Sequence, residues 1–195
     1  MSVDSDSSVT VAQRAALRQR LRDARQAFAN GDEAQRAHDS LARHLAPLLR
    51  TLEPQGLGLY WPVLGEFNAV ALWQADEYLR AIPASLPFAT RQPPAMHYRL
   101  WDGSPPSVVD ECRIPAASGA PTEPDVVLVP CVGFTRDGFR LGYGGGYFDR
   151  WLAAHPGATS IGVAWSQGQM CDAEFAPQPH DIALTLVITE QGVVG

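Results

Sequence analysis

No lysine occurs in these 195 residues; all fifteen basic side chains are arginine. That excludes a P-loop lysine and a Schiff-base lysine alike. Cysteine is scarce too. Cys112, Cys131 and Cys171 are odd in number and share no C-x-x-C spacing, which excludes a disulfide framework and a zinc cluster and makes a reducing, cytoplasmic setting the expectation. No apolar run approaches the length of a membrane-spanning helix. The polar, acidic opening from Met1 to Ser8 is unlike a signal or transit peptide. Positive charge is in deficit: the net charge is −6, which argues against a general nucleic-acid or anionic-membrane binder. Any anionic ligand must therefore be met by a local cluster of arginines.

What is present is a chain that is 46% hydrophobic, enough for one well-buried core. Its organising stretch runs from Arg140 to Arg150, Arg-Leu-Gly-Tyr-Gly-Gly-Gly-Tyr-Phe-Asp-Arg. The apolar run Val126 to Val129 before it, bounded by Pro124 and Pro130, reads as a buried strand. Tyr147, Trp151, Leu152 and Ala154 after it share one side of a short helix. Four glycines in the five positions 142–146 thus lie between a strand and a helix start, where backbone N–H groups lack partners. Phosphate is the ligand such a place suits, with Arg140 and Arg150 as flanking charges. A G-x-G-x-x-G count from Gly142 meets Tyr147 at its third glycine, so the dinucleotide fingerprint is broken. The bland alternative is a flexible surface turn.

Residues 1–9 are expected to be a disordered tail, and 10–195 one domain. Thr10 and Gln13 form a capping-box pattern ahead of a helix with Leu17, Leu21, Ala24 and Phe28 on one face. Beside that face runs a stripe of Arg14, Arg18, Arg22 and Arg25, which by spacing alone reads as a solvated face. A second helix follows from the turn Asn30-Gly31-Asp32, with Pro47 expected to kink it or mark its last turns. Strands are expected over Leu57–Trp61, Leu86–Thr90, Met96–Trp101, Thr159–Trp165 and Leu184–Ile188. Asn68 caps a helix carrying Val70, Leu72, Trp73 and Leu79. Glu66 falls in the loop between strand and helix, a position where open α/β sheets bind ligands. Residues 103–124 hold five prolines and read as a long irregular connection. The element order predicts a three-layer α/β/α sandwich with a mainly parallel sheet.

From about Gln13 to Glu190 the chain resembles the 5-formyltetrahydrofolate cyclo-ligase family. The most specific residues are Leu128-Val-Pro130, Gly133-Phe134, Gly138, Arg140 to Tyr147 and Asp149-Arg150. Arg14-x-x-x-Arg18, Tyr60-x-Pro62-x-x-Gly65-Glu66, Ile161-Gly162, His180-Asp181 and Ile188-Thr189-Glu190 support them. The resemblance implies a fold of the ribose-phosphate isomerase and CoA-transferase type. It implies ATP- and Mg²⁺-dependent closure of 5-formyltetrahydrofolate, polyglutamylated or not, to 5,10-methenyltetrahydrofolate, by a monomer with no nucleic-acid or membrane partner.

Carried over by position, Arg14, Arg18, Arg140, Gly142, Gly144, Gly145, Gly146, Tyr147, Phe148 and Asp149 bind ATP. Arg140, Tyr147 and Asp149 are the catalytic set, and Asp149 and Asp181 hold Mg²⁺. Glu66 accepts hydrogen bonds from the pterin, with Met96, Trp101 and Tyr147 lining the folate pocket. Four residues depart from the family pattern: Arg14 for lysine, Cys131 for glycine, Thr135 for aspartate and Phe148 for tyrosine.

Overall fold

The structure, a computed structural model, describes residues 10–171 and 173–194; the expected tail at 1–9 lies outside them. Two long helices come first, α1 (Val11–Ala29) and α2 (Ala34–Leu52). The capping box forms as expected: Thr10 Oγ1 accepts the Gln13 N–H at 3.2 Å, and Gln13 Oε1 accepts the Thr10 N–H at 2.7 Å. Helix α2 runs through Pro47, which lies in its last turns as expected, to Leu52, and buries Ala37, Leu41, Leu45, Ala46 and Leu49.

Eight strands make one sheet. They are β1 (Leu57–Gly58), β2 (Ala84–Arg91), β3 (Pro94–Trp101), β6 (Pro121–Thr122), β7 (Val126–Pro130), β10 (Thr159–Val163), β11 (Leu186–Thr189) and β12 (Gly192–Val194). Two small hairpins lie outside it, β4 (Val108–Val109) with β5 (Pro115–Ala116), and β8 (Gly133–Phe134) with β9 (Arg140–Leu141). The spatial order is β12-β11-β10-β7-β1-β2-β3-β6. The five central strands, β11 to β2, are parallel, and the margins are antiparallel. Central strands buried on both faces carry unbroken apolar runs, as Val126 to Val129 do.

Alternation along β7 sorts the core into two layers. Val126 and Leu128 face the layer built by α2, α3 (Ala69–Ala75) and α4 (Glu77–Arg80). Val127 and Val129 face Trp151 and Leu152 of α5 (Tyr147–Ala154). The result is a three-layer α/β/α sandwich. The helix expected after Asn68 is two helices. Asn68 caps α3 through the Ala71 N–H, and Asp76 caps α4, which carries Leu79.

Strand lengths differ from expectation where prolines intervene. The strand expected over Leu57–Trp61 keeps only two ladder residues, because the chain leaves the sheet toward Pro62 after Leu59 donates to the Ser85 carbonyl at 2.9 Å. The strand β12, which the pattern did not announce, pairs back on β11 through a turn at Glu190 and Gln191, with Gly192 (φ 116°) opening the strand. Helix α1 lies at the carboxyl edge of the sheet, where Leu17 and Leu21 pack on Val132, Leu141, Met170 and Phe175.

Candidate active site

The carboxyl ends of β1, β2 and β7 open into a cleft of about 390 Å³. Such an edge is where parallel α/β sheets take their ligands, because the connecting loops there are free of the ladder. Of the sequence-predicted residues, Arg14, Arg18, Glu66, Met96, Arg140, Gly142, Gly144 to Gly146, Tyr147, Phe148, Asp149 and Asp181 all line it.

Trp101 does not. Alternation along β3 sends it to the face opposite Met96 and Tyr98, where it packs on Trp73 at 5.2 Å between ring centroids. Its indole N–H donates to the Ser104 carbonyl at 2.8 Å. Trp101 is a core residue, so its assignment to the folate pocket is corrected.

The glycine loop takes the shape its composition allows. Gly144 (φ 95°) and Gly146 (φ 61°) occupy the left-handed region, where only glycine sits without strain. Gly146 starts α5, whose first N–H groups receive no side-chain cap, so the helix begins with free donors facing the cleft. A Cβ on Gly145 would lie 2.6 Å from the Tyr147 ring, whereas one on Gly142 would meet nothing within 4 Å.

Helix α1 overturns the solvated-face reading for Arg14 and Arg25. Arg14, Leu17, Leu21 and Arg25 are its buried residues, a spacing of three, four and four that puts two guanidinium groups at the ends of an apolar stripe. Arg14 donates to Asp181 Oδ2 and to the Ala176 carbonyl, each at 2.7 Å. It also lies over the Phe175 ring at 4.6 Å. Its Nε is buried without a protein acceptor. Arg18 donates through Nε to the Gly142 carbonyl at 2.9 Å, which pins the helix to the loop.

Arg140 is buried and doubly held: it pairs with Asp149 Oδ1 at 2.9 Å and donates to the Ile182 carbonyl at 2.9 Å. Asp149 Oδ1 also accepts the Ile182 N–H at 3.1 Å. Burial alone would raise the Asp181 carboxyl, but hydrogen bonds from Arg14 and the Gln178 N–H outweigh it and hold the group below its ordinary range.

Glu66 is buried and accepts from the Tyr143 hydroxyl at 2.6 Å and from its own turn at the Val63 N–H at 2.9 Å. Arg25 Nη1 stands 3.6 Å from Glu66 Oε1. Burial pushes this carboxyl upward, with Tyr143, Arg25 and the Val63 N–H opposing.

The connection 103–124 is ordered onto the cleft. Asp110 accepts the N–H groups of Cys112 and Ile114 at 2.8 and 2.9 Å and that of Ala89 at 3.2 Å. This delivers the Cys112 thiol to the Tyr147 hydroxyl at 3.3 Å. Sequence reasoning missed Tyr143, Asp110 and Cys112 as parts of this wall, and Arg25 behind it; only Arg25 had a signal, its buried-face spacing on α1.

Two of the four departures lie away from the cleft. Thr135 Oγ1 accepts the Phe139 N–H at 3.2 Å and closes the β8–β9 turn. Cys131 is buried beneath Gly162, and burial pushes its thiol up to about 12, so it is an inert packing group.

Fold and site together define a three-layer α/β protein with a cleft lined by glycine backbone and arginines at the carboxyl edge of its sheet. The family model for the 5-formyltetrahydrofolate cyclo-ligase family matches residues 10–190. The chain belongs to that family.

Among curated relatives it is 41% identical over 73 residues to the 5-formyltetrahydrofolate cyclo-ligase of Mycolicibacterium smegmatis, covering 37% of each chain. It is 38% identical over 72 residues to that of Mycoplasma pneumoniae, covering 36% of this chain and 42% of the relative. These matches span about two fifths of the relatives' length. In structure it is similar over 92% of its length to the 5,10-methenyltetrahydrofolate synthetase of Aquifex aeolicus, with TM-score 0.73, 26% identity and 91% of that chain covered. The synthetase of Mycoplasma pneumoniae shares the fold, with TM-score 0.72 at 23% identity over 91% of this chain and 98% of that one.

Proposed function

We propose that the protein closes 5-formyltetrahydrofolate to 5,10-methenyltetrahydrofolate at the expense of ATP, releasing ADP and phosphate. The observation that carries this reading is the union, in one cleft, of a glycine loop overlain by arginines with an apolar wall and a buried carboxylate, Glu66. The first suits a polyphosphate and the second a flat heterocycle with N–H donors. Family membership and the Aquifex aeolicus neighbour point the same way.

The chemistry asks for what the cleft holds. A formamide oxygen is a poor leaving group, so N10 cannot expel it as hydroxide. Transfer of the γ-phosphoryl group to the formyl oxygen gives an imidate-like phosphate, from which phosphate departs as N10 attacks carbon. Phosphoryl transfer depends on positioning and charge neutralisation rather than on a protein nucleophile. Here the N–H groups of Gly144 to Gly146 and the start of α5 receive phosphate oxygens, and Arg14 and Arg18 add positive charge. Arg140 holds Asp149 in place through their ion pair. Tyr147 and Met96 bound the folate, so that N10 stays near the formyl carbon and ring closure gains from proximity.

No group of three or more His, Cys, Asp and Glu side chains converges among the described residues, so protein alone does not cage a cation. Asp149 and Asp181, both on the cleft wall, fit Mg²⁺ in its usual manner, one or two carboxylates completed by phosphates and water. Bound there, it supplies charge neutralisation at the transferring phosphoryl group. A monomer is the working assembly under this reading, with 5-formyltetrahydrofolate, polyglutamylated or not, as its folate.

The test is the near-ultraviolet absorbance of the methenyl product when purified protein is mixed with 5-formyltetrahydrofolate, ATP and Mg²⁺. Product, ADP and phosphate should appear in equal amounts. Folded protein that binds both ligands but forms none of the three would overturn the assignment.

A further inference from the structure

Arg25 takes no part in the phosphate chemistry above, yet its side chain is only 5% exposed. It joins four elements. Nε donates to the Leu64 carbonyl at 3.0 Å, Nη1 to the Cys131 carbonyl at 3.4 Å, and Nη2 to the Tyr143 hydroxyl. Nη1 also stands 3.6 Å from Glu66 Oε1, the same oxygen that accepts the Tyr143 O–H at 2.6 Å.

An arginine is buried this way only where its donors and charge are met. Here the donors are met by carbonyls and a hydroxyl, while the counter-charge belongs to a side chain on the cleft wall. Glu66 Oε2 is held by its own turn. Oε1 has one close donor, and a carboxylate oxygen has room for a second.

We propose that Arg25 and Tyr143 are positioning residues that keep Glu66 ionised and oriented as the acceptor for the N–H-bearing edge of the folate ring. This rests on the function proposed above. The groups facing Glu66 are Arg25 from α1, Tyr143 from the glycine loop, Tyr60 beyond β1 and Cys131 beyond β7. Burial raises both Tyr60 and Cys131 far above neutrality, so they carry no charge. Arg25 is thus the counter-charge in this set, and without it desolvation of the Glu66 carboxylate stands opposed only by two hydrogen bonds.

The experiment measures the dissociation constant of 5-formyltetrahydrofolate by tryptophan fluorescence from pH 6 to 9, in wild type and in Arg25→Met, Arg25→Lys and Tyr143→Phe. Wild type should be flat across this range. Arg25→Met should bind roughly tenfold more weakly near neutral pH and recover as pH rises, because the acceptor must lose a proton that the missing charge no longer repels. Its affinity for a non-hydrolysable ATP analogue should stay within about twofold of wild type, and Arg25→Lys should restore the flat profile.

A loss that is the same at every pH, or one shared equally by the ATP analogue, makes Arg25 a packing residue and overturns the inference while leaving the assigned function standing. Wild type that binds no 5-formyltetrahydrofolate overturns both. Should Arg25→Met not fold, Tyr143→Phe carries the test, with the same pH signature at about threefold; its absence there is equally decisive.

Discussion

Asp181 and Arg14 meet with side chains 9% and 7% exposed, and removing one partner of such a pair strands the other without water. Asp181→Asn should therefore destabilise the protein by about 3 kcal/mol at pH 7, measured by urea unfolding. The pH dependence has a definite sign. The folded carboxyl is held below its ordinary value, so its contribution is complete above the unfolded pKa of roughly 4 and is lost as pH falls through the folded value. The gap between wild type and Asp181→Asn should close toward pH 3.

Trp101 is the opposite case, where alternation along β3 was readable but its facing was not. Period two says that Met96 and Trp101 lie on opposite faces; it does not say which face meets the ligand. Trp101→Phe should cost about 2 kcal/mol through lost packing on Trp73 and the lost bond to Ser104. It should leave the KM for folate unchanged in steady-state assays.

Among the elements, the glycine loop separates ligand effects from folding effects. A Cβ at Gly142 meets no neighbour within 4 Å, so Gly142→Ala should change stability by no more than about 0.5 kcal/mol. If ATP lies against Gly142, as the family resemblance implies, the same change should raise the KM for ATP about tenfold. An unaltered KM would mean that the nucleotide lies elsewhere. Gly145→Ala offers the contrast, since its Cβ would sit 2.6 Å from the Tyr147 ring and must displace a residue assigned to catalysis.

This loop was legible in sequence because glycine density, flanking arginines and a preceding apolar strand are all local. The roles of α1 were not. The four arginines of its stripe, Arg14, Arg18, Arg22 and Arg25, carry a helical period compatible with either a wet face or a buried one, and only the neighbours at Gly142, Asp181 and Leu64 decide. Nor could the connection 103–124 be read, because it is ordered by short pairings, β4 with β5 and β6 with β3, and by Asp110 collecting backbone N–H groups from its own turn and from β2.

At the scale of the molecule, the sheet's parallel centre follows from apolar runs separated by helices; of its antiparallel margins, the long β2–β3 pairing joins two strands the pattern showed, whereas the pairings of β6 and β12 are too short for pattern to announce. The larger consequence concerns α1. Leu17 and Leu21 bury its apolar stripe, whereas α2 is fixed by five buried aliphatic residues. Much of the docking of α1 is polar: Arg14 on Asp181, Arg18 on the Gly142 carbonyl, Arg25 on the Leu64 carbonyl and Tyr143.

One helix therefore touches both the phosphate end and the Glu66 end of the cleft, and ordering it for one ligand lowers the conformational cost of the other. The dissociation constant of 5-formyltetrahydrofolate should fall about fivefold in the presence of a non-hydrolysable ATP analogue, with a reciprocal effect of equal size on the analogue. Hydrogen exchange should show α1 less protected than α2 in the free protein and selectively slowed by either ligand. Arg18→Met, which cuts the bond from α1 to the loop, should reduce the coupling toward unity. Two ligands that bind independently in wild type would mean that α1 is already as rigid as the sheet it covers.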